Sequence, residues 1–363
     1  MSDHDATASS LALGLSHQQA GRIAEAKTIY EALLAKDRKQ PDVLHMLGVI
    51  YSAEKAHPKA EKLIGEAIAL DPERAPFHHN LGQAYRQQGK FAEAREAYRQ
   101  AILLNPDEAE SHFCLGNTHM ALDEQKEALR AFQEALERAP NRMDIWSNLA
   151  STFLDMGEVD QAIMVFQRAL ALAPKDADMH YNLGTALLHK ELYEEAVLTM
   201  RTVLDIKPNH HLAWCNIGTA LKNLGQTQGA AEAFKQSISL CPEYADAHWN
   251  QALLLLAQGD FSAGWKAYEW RRKIPSLRIR HQEETPWQGG DIAGKTILIH
   301  AEQGLGDTFQ FLRYLRSLKA KGATVIFETP SPLKNILQSA TFIDQLVCIG
   351  ESLPEFAMQA PLL

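Results

Sequence analysis

Along most of this chain apolar residues fall at helical spacing in short stretches, and the arrangement of stretches itself repeats. Pro72, Pro106, Pro140, Pro174, Pro208 and Pro242 stand 34 residues apart, and the residues between them keep one register. Counting from residues 7, 41, 75, 109, 143, 177, 211 and 245, position 8 holds Gly14, Gly48, Gly82, Gly116, Ala150, Gly184, Gly218 and Ala252. Position 20 holds alanine from Ala26 to Ala230, and position 24 holds bulky Tyr30, Tyr98, Phe132, Phe166, Phe234 and Tyr268. Small residues let two helices approach, and a large one fills the space beside them. Each unit therefore predicts helix A, a tight turn near Gly89, Gly157, Gly225 or Gly259, and helix B ended by proline.

Eight units follow: 7–40, 41–74, 75–108, 109–142, 143–176, 177–210, 211–244 and a degenerate 245–278, after a disordered 1–6. One helix pair cannot bury its apolar face alone, so the units are expected to stack into a right-handed superhelix with a concave inner surface. Residues 279–294, without periodicity and with Pro286, Gly289, Gly290 and Gly294, read as a linker. Beyond it the pattern changes to strand Thr296–Ala301, helix Thr308–Lys321, strand Thr324–Glu328, short helix Pro332–Ser339 and strand Gln345–Ile349. That order predicts a small, parallel, Rossmann-like α/β unit over 295–363.

The 363 residues carry a formal charge of −9 and 46% apolar content, which suits a soluble chain and disfavours a general nucleic-acid binder. Cys114, Cys215, Cys241 and Cys348 are scattered without a Cys-x-x-Cys pair, which argues against zinc and a disulfide framework. With no export signal and no apolar run long enough to span a membrane, a cytoplasmic location is expected. The 15 histidines fall mostly one per unit, as at His78, His112, His180 and His248, a spacing unsuited to one metal ion.

Position 6 carries Asn80, Asn148, Asn182, Asn216 and Asn250, interrupted by Met46 and Cys114. Asparagine is mediocre inside helices, so its recurrence needs a reason. Its amide can hold the backbone of an extended peptide in the groove, or it can join neighbouring units and set the superhelical angle. Position 5, with His79, Tyr181 and Trp249 among its residues, suits an aromatic inner wall or packing between units. Acidic residues at position 2 complement the helix dipole.

The small-and-bulky code over 7–278 resembles the tetratricopeptide repeat (TPR) family. Asn80-Leu81-Gly82 and Asn182-Leu183-Gly184 resemble the repeats of protein O-linked N-acetylglucosamine transferase, which implies that such asparagines line a substrate groove. Cys114 departs from that pattern. Gly289-x-x-x-x-Gly294-Lys295-Thr296 spells a P-loop, but it leads into a strand rather than a helix and is set aside. Glu302-Gln303-Gly304-Leu305-Gly306-Asp307-Thr308 is better placed, between a strand and a helix, where Gln303, Gly304, Gly306 and Thr308 form a ligand-facing loop.

That loop resembles the opening of the heptosyltransferase-like domain of bacterial TPR proteins, as do Trp265–Arg271 and Pro286-Trp287-x-Gly289. The resemblance implies an incomplete glycosyltransferase-B fold with Asp307 as a general base. Residues 294–363 suffice for one βαβαβ unit, not for the second half that holds a nucleotide-sugar donor. The chain as given is thus expected to have no cofactor and no turnover of its own. It reads either as a truncated enzyme that recruits acceptors through its repeats, or as an adaptor binding a protein or peptide in its groove and linked to bacterial glycosylation.

Overall fold

A computed structural model describes residues 3–277, 280–281, 283–287, 289–302 and 304–362. Its first compact unit ends at Pro242 and its second runs from Glu243. In the first, helices pair as α1 Asp3–Gln19 with α2 Ile23–Lys36, α3 Pro41–Ala53 with α4 His57–Leu70, and α5 Ala75–Gln87 with α6 Phe91–Leu104. Then follow α7 Ala109–Ala121 with α8 Gln125–Arg138, α9 Met143–Asp155 with α10 Val159–Leu172, α11 Ala177–His189 with α12 Tyr193–Ile206, and α13 His211–Asn223 with α14 Thr227–Leu240. Helix α1 begins inside the segment 1–6 expected to be disordered; no proline or glycine precedes Gly14 to interrupt it.

The packing code is literal. A Cβ added at Gly218 would stand 2.5 Å from the Phe234 ring, and at Gly82 2.9 Å from Tyr98. Ile64 and Met200 do the same for Gly48 and Gly184, so a long aliphatic chain substitutes for the ring. Ala26, Ala60, Ala94, Ala128, Ala162 and Ala230 are fully buried. Every A helix of the unit ends on a position-15 residue of positive φ: Gly21, Lys55, Gly89, Asp123, Gly157, Glu191 and Gly225. This left-handed step releases the chain toward helix B.

Periodic histidines prove to be clasps between units. The Nε2 atoms of His78, His112 and His180 lie 2.8–2.9 Å from the carbonyls of Pro72, Pro106 and Pro174, and Trp146 Nε1 donates to Pro140. A proline that ends helix B thus leaves a carbonyl that the next A helix satisfies.

In the second unit α15 Ala245–Ala257 pairs with α16 Phe261–Tyr268. A four-stranded parallel sheet follows, in the order β3-β2-β1-β4: β1 Thr296–Ala301, β2 Thr324–Thr329, β3 Gln345–Cys348 and β4 Met358–Leu362. One face packs Ile297, Ile299, Val325 and Phe327 against Leu312, Leu315 and Leu337; the other buries Leu298, Ile326 and Val347. Burial on both faces explains the near-continuous apolar runs of the strands. Strand β4 was not legible because Pro361 interrupts a strand reading, yet at the sheet edge it is tolerated.

The expected helix 308–321 is two helices, α17 Leu305–Phe311 and α18 Arg313–Ala320, and the short one after β2 is α19 Lys334–Leu337. The segment read as a linker is partly organised: Trp287 N donates to Gln359 O at 2.7 Å, and Gln359 N to Thr285 O at 2.9 Å. Arg271, 1% exposed, makes a two-pronged bond to Glu302 at 2.8 and 3.1 Å and lies 4.8 Å over the Tyr268 ring. This buried pair ties the end of the α15–α16 pair to the end of β1.

Candidate functional site

Within the first unit, successive A helices touch directly (α3 with α5, α5 with α7, and so on to α13), while successive B helices approach less closely. The stack is therefore tighter on its A side, which makes the A helices its inner face.

Positions 5, 6 and 9 meet along this line. Asn80 Nδ2 donates to His45 Nε2 at 2.7 Å, and Asn148 Nδ2 to Asn117 Oδ1 at 2.8 Å. Asn182 reaches Ser147 Oγ and Asn216 reaches Thr185 Oγ1, each at 3.3 Å. Every one of these bonds crosses to the preceding A helix, and all four asparagines remain half-buried. Asn250, in the second unit, donates instead to the Asp246 carbonyl of its own helix. The amides thus do tie neighbouring units together, and Asn216 also lies against the Tyr181 side chain. Their partners at position 9, Asn117 and Thr185, escaped sequence reasoning because only the rotation between units brings positions 6 and 9 together; position 9 is polar from Gln83 to Thr219, which was the available signal.

His79 Nδ1 lies 2.9 Å from Ser111 Oγ and its ring meets Tyr98 edge-on at 5.5 Å. Tyr181 packs against His210 at 5.0 Å. Trp249 has a buried Nε1 without a hydrogen-bond partner. Burial pushes His45 down to about 4, lowers His79 as well, and raises the Tyr181 hydroxyl and the Cys114 thiol, the latter to about 12. These four groups are therefore uncharged at pH 7. The acidic position-2 residues do more than face the helix dipole: Asp42 pairs with Arg74 at 2.7 Å, Glu110 and Asp144 with Arg142, and Asp178 with Lys207 at 2.7 Å.

On the other side of the stack, cavities of about 440, 400 and 420 Å³ open between successive B helices. Apolar side chains of the intervening A helix, such as Trp214, Leu47 and Phe153, form part of their walls.

At the second unit's loop, Gly304 is the N-cap of α17, so Leu305, Gly306, Asp307 and Thr308 are helical rather than loop. Asp307 is the third helical residue, half-buried, and its carboxylate leans back toward Gly304. Thr308 Oγ1 donates to the Gly304 carbonyl at 3.0 Å. Gln303 lies outside the described residues. Nearby, on the second face of the sheet, His300 Nε2 meets Gln359 Oε1 at 2.9 Å, and Glu328 is held by His281 and Arg280. Burial pushes His300 down to about 4. Among the described residues no group of histidine, cysteine and acidic side chains is arranged to hold a metal, and no helix is long and apolar enough to cross a membrane.

A tetratricopeptide repeat model matches residues 11–75, 147–211 and 215–269, and related TPR models match 63–96, 82–123 and 109–142. Protein FlbA of Caulobacter vibrioides is 28% identical over 26% of this chain and 22% of its own length, so the chain spans about a fifth of that relative. Among solved structures, the C-terminal part of a TPR repeat-containing protein from Cytophaga hutchinsonii superposes with a TM-score of 0.56 at 17% identity, covering 65% of this chain and 96% of that one. YrrB, described as a TPR protein with an unusual peptide-binding site, gives a TM-score of 0.44 at 22% identity, over 51% of this chain and 95% of its own. The likeness to the Cytophaga protein is of fold alone. With one repeat model matching more than half of its length, the chain belongs to the tetratricopeptide repeat family.

Proposed function

We propose that the A-helix face is the binding surface for an extended segment of a protein partner, held chiefly through its main chain. The observation that carries this reading is the row of half-buried amides at Asn80, Asn148, Asn182 and Asn216, one unit apart or a multiple of it. Each bonds its neighbour through Nδ2, Asn216 also meeting Tyr181, and a side-chain amide offers two donor hydrogens and an acceptor oxygen. The remaining capacity matches the alternating N–H and C=O groups of an extended peptide. His79 and Tyr181 supply flat neutral surface beside it, and Asn250 and Trp249 continue the same sequence positions in the second unit. Membership of a repeat family that serves as a protein-interaction scaffold agrees. The test is to select peptides on the immobilised chain, then measure their affinity for the chain and for the variant N148A/N182A/N216A. At least a tenfold loss is expected; undiminished affinity refutes the reading.

A second reading concerns residues 295–362. The parallel strand order β3-β2-β1-β4 agrees with the first part of a Rossmann-like sheet, and α17 follows the carboxyl end of β1. We infer that this unit is the acceptor-side opening of a sugar-transferring domain within a longer, cytoplasmic bacterial protein, with Asp307 as base. Incubating an extended chain with nucleotide sugars and candidate acceptors tests it: turnover lost in Asp307→Asn is expected, and turnover unaffected by that change refutes the assignment.

A further inference from the structure

Position 21 of the repeats holds Lys27, Glu61, Arg95, Leu129, Ile163 and Val197, so the pairing of helices does not call for an aromatic side chain there. The last unit nevertheless places Trp265 at this position, on α16, with 47% of its surface exposed. Tyr268 meets the indole edge-on at 5.5 Å, and Tyr268 is itself buried under the Arg271 guanidinium, so the exposed ring rests on a fixed support. A second exposed ring comes from α18: Tyr314 is 58% exposed and lies nearly parallel to Phe311 at 6.2 Å.

Together with Trp287 these two rings wall a cavity of about 310 Å³ within the second unit. Ile299 of β1, Leu315 and Leu318 of α18 and the end of β4 complete the lining. Between Met358 and Leu362, β4 brings only Ala360 to this face, opposite Ile299, and so small a side chain leaves the space open. None of the lining residues carries a charge. One polar group stands out, because Trp287 Nε1 is buried without a hydrogen-bond partner. An acceptor oxygen inside the cavity would remove that cost.

These properties select the ligand. A purely aliphatic group leaves the indole donor unmet, and an ion finds no opposite charge. A pyranose ring satisfies both demands: its C–H bonds, slightly positive, pack on the negative faces of aromatic rings, and its hydroxyl oxygens accept from indole N–H and phenol O–H groups. The volume lies at the small end of the roughly 300–1,000 Å³ of small-molecule sites. We propose that the cup formed by Trp265, Trp287 and Tyr314 binds an uncharged sugar residue. Neither the peptide-binding reading nor the role given to Asp307 is required, since a sugar seated here is held and not transformed.

The experiment titrates the isotope-labelled full chain with disaccharides of glucose, galactose, mannose and N-acetylglucosamine, and with glucuronic acid and glucosamine as charged controls. Concentrations run to about 10 mM, where weak single-site binding is still measurable. The indole N–H resonances of Trp265 and Trp287 report on the cavity, and those of Trp146 and Trp214 serve as references in the first unit. Saturable shifts of the first two signals with at least one uncharged sugar are expected, with affinity about tenfold weaker in Trp265→Ala and in Tyr314→Ala. Both side chains are about half exposed, so both variants should melt with the parent, and either one alone carries the comparison. No shift with any sugar, shifts that spare Trp265 and Trp287, binding confined to the charged sugars, or affinity unchanged in the variants overturns the inference. A concentration-dependent dimer that Trp265→Ala disperses in sedimentation would assign the cup to a second copy of the chain and overturn it too. None of these results decides the transferase reading, which stands or falls on turnover.

Discussion

Lys55, Asp123 and Glu191 occupy the position that glycine takes in other units, with φ of 61°, 61° and 62° against 73–76° for Gly21, Gly89, Gly157 and Gly225. A residue with a Cβ pays roughly 1–2 kcal/mol in this left-handed region, and Asp is more tolerant than Lys or Glu. Glycine gives back about 0.5–1 kcal/mol through its greater freedom in the unfolded chain. The net expectation is a gain of about 0.5–1 kcal/mol for each of Lys55→Gly and Glu191→Gly. Both side chains are exposed, so little packing is lost. The sites lie in separate helix pairs and should add, giving about 1–2 kcal/mol for the double variant. At roughly 2–4 °C per kcal/mol for a unit of this size, the melting temperature should rise by roughly 2–8 °C in calorimetry. The reciprocal variant Gly157→Lys should fall by a comparable amount. A double variant no more stable than the parent, with Gly157→Lys neutral, would refute the assignment of these turns.

Buried His45 and His300 are pushed down to about 4, below the ~6.5 of an unfolded histidine, so their stabilisation is whole above pH ~6.5 and lost as pH falls toward 4. Urea midpoints should therefore drop between pH 7.5 and 5.0, and His45→Gln should flatten that slope; an unaltered slope contradicts the cause. Arg271→Met strands Glu302 and should destabilise the C-terminal unit by about 3–5 kcal/mol, largely recovered in R271M/E302L, as read by thermal melting. Iodoacetamide under native conditions should label Cys241 well before buried Cys114, Cys215 and Cys348, which mass spectrometry resolves.

The repeat packing was legible because it is local and periodic. Gly218 and Phe234, or Gly82 and Tyr98, sit within one unit, and their offset alone carries the geometry. Interactions across units were less legible. The bonds Asn148–Asn117 and Asn216–Thr185, and the histidine clasps on proline carbonyls, depend on the rotation from one pair to the next, which no spacing prints. In the second unit, β1 to β3 followed from β-branched runs, whereas β4 rests on pairing with β1 despite Pro361.

The central claim is that ligand lies on the A-helix face and not in the clefts between B helices. Placing a photo-crosslinking amino acid at Ser151, exposed on α9, or at Met164, exposed on α10 beside a B-side cleft, and irradiating with a selected peptide distinguishes the two. The account predicts crosslinked peptide from Ser151 and none from Met164; the reverse pattern would contradict it.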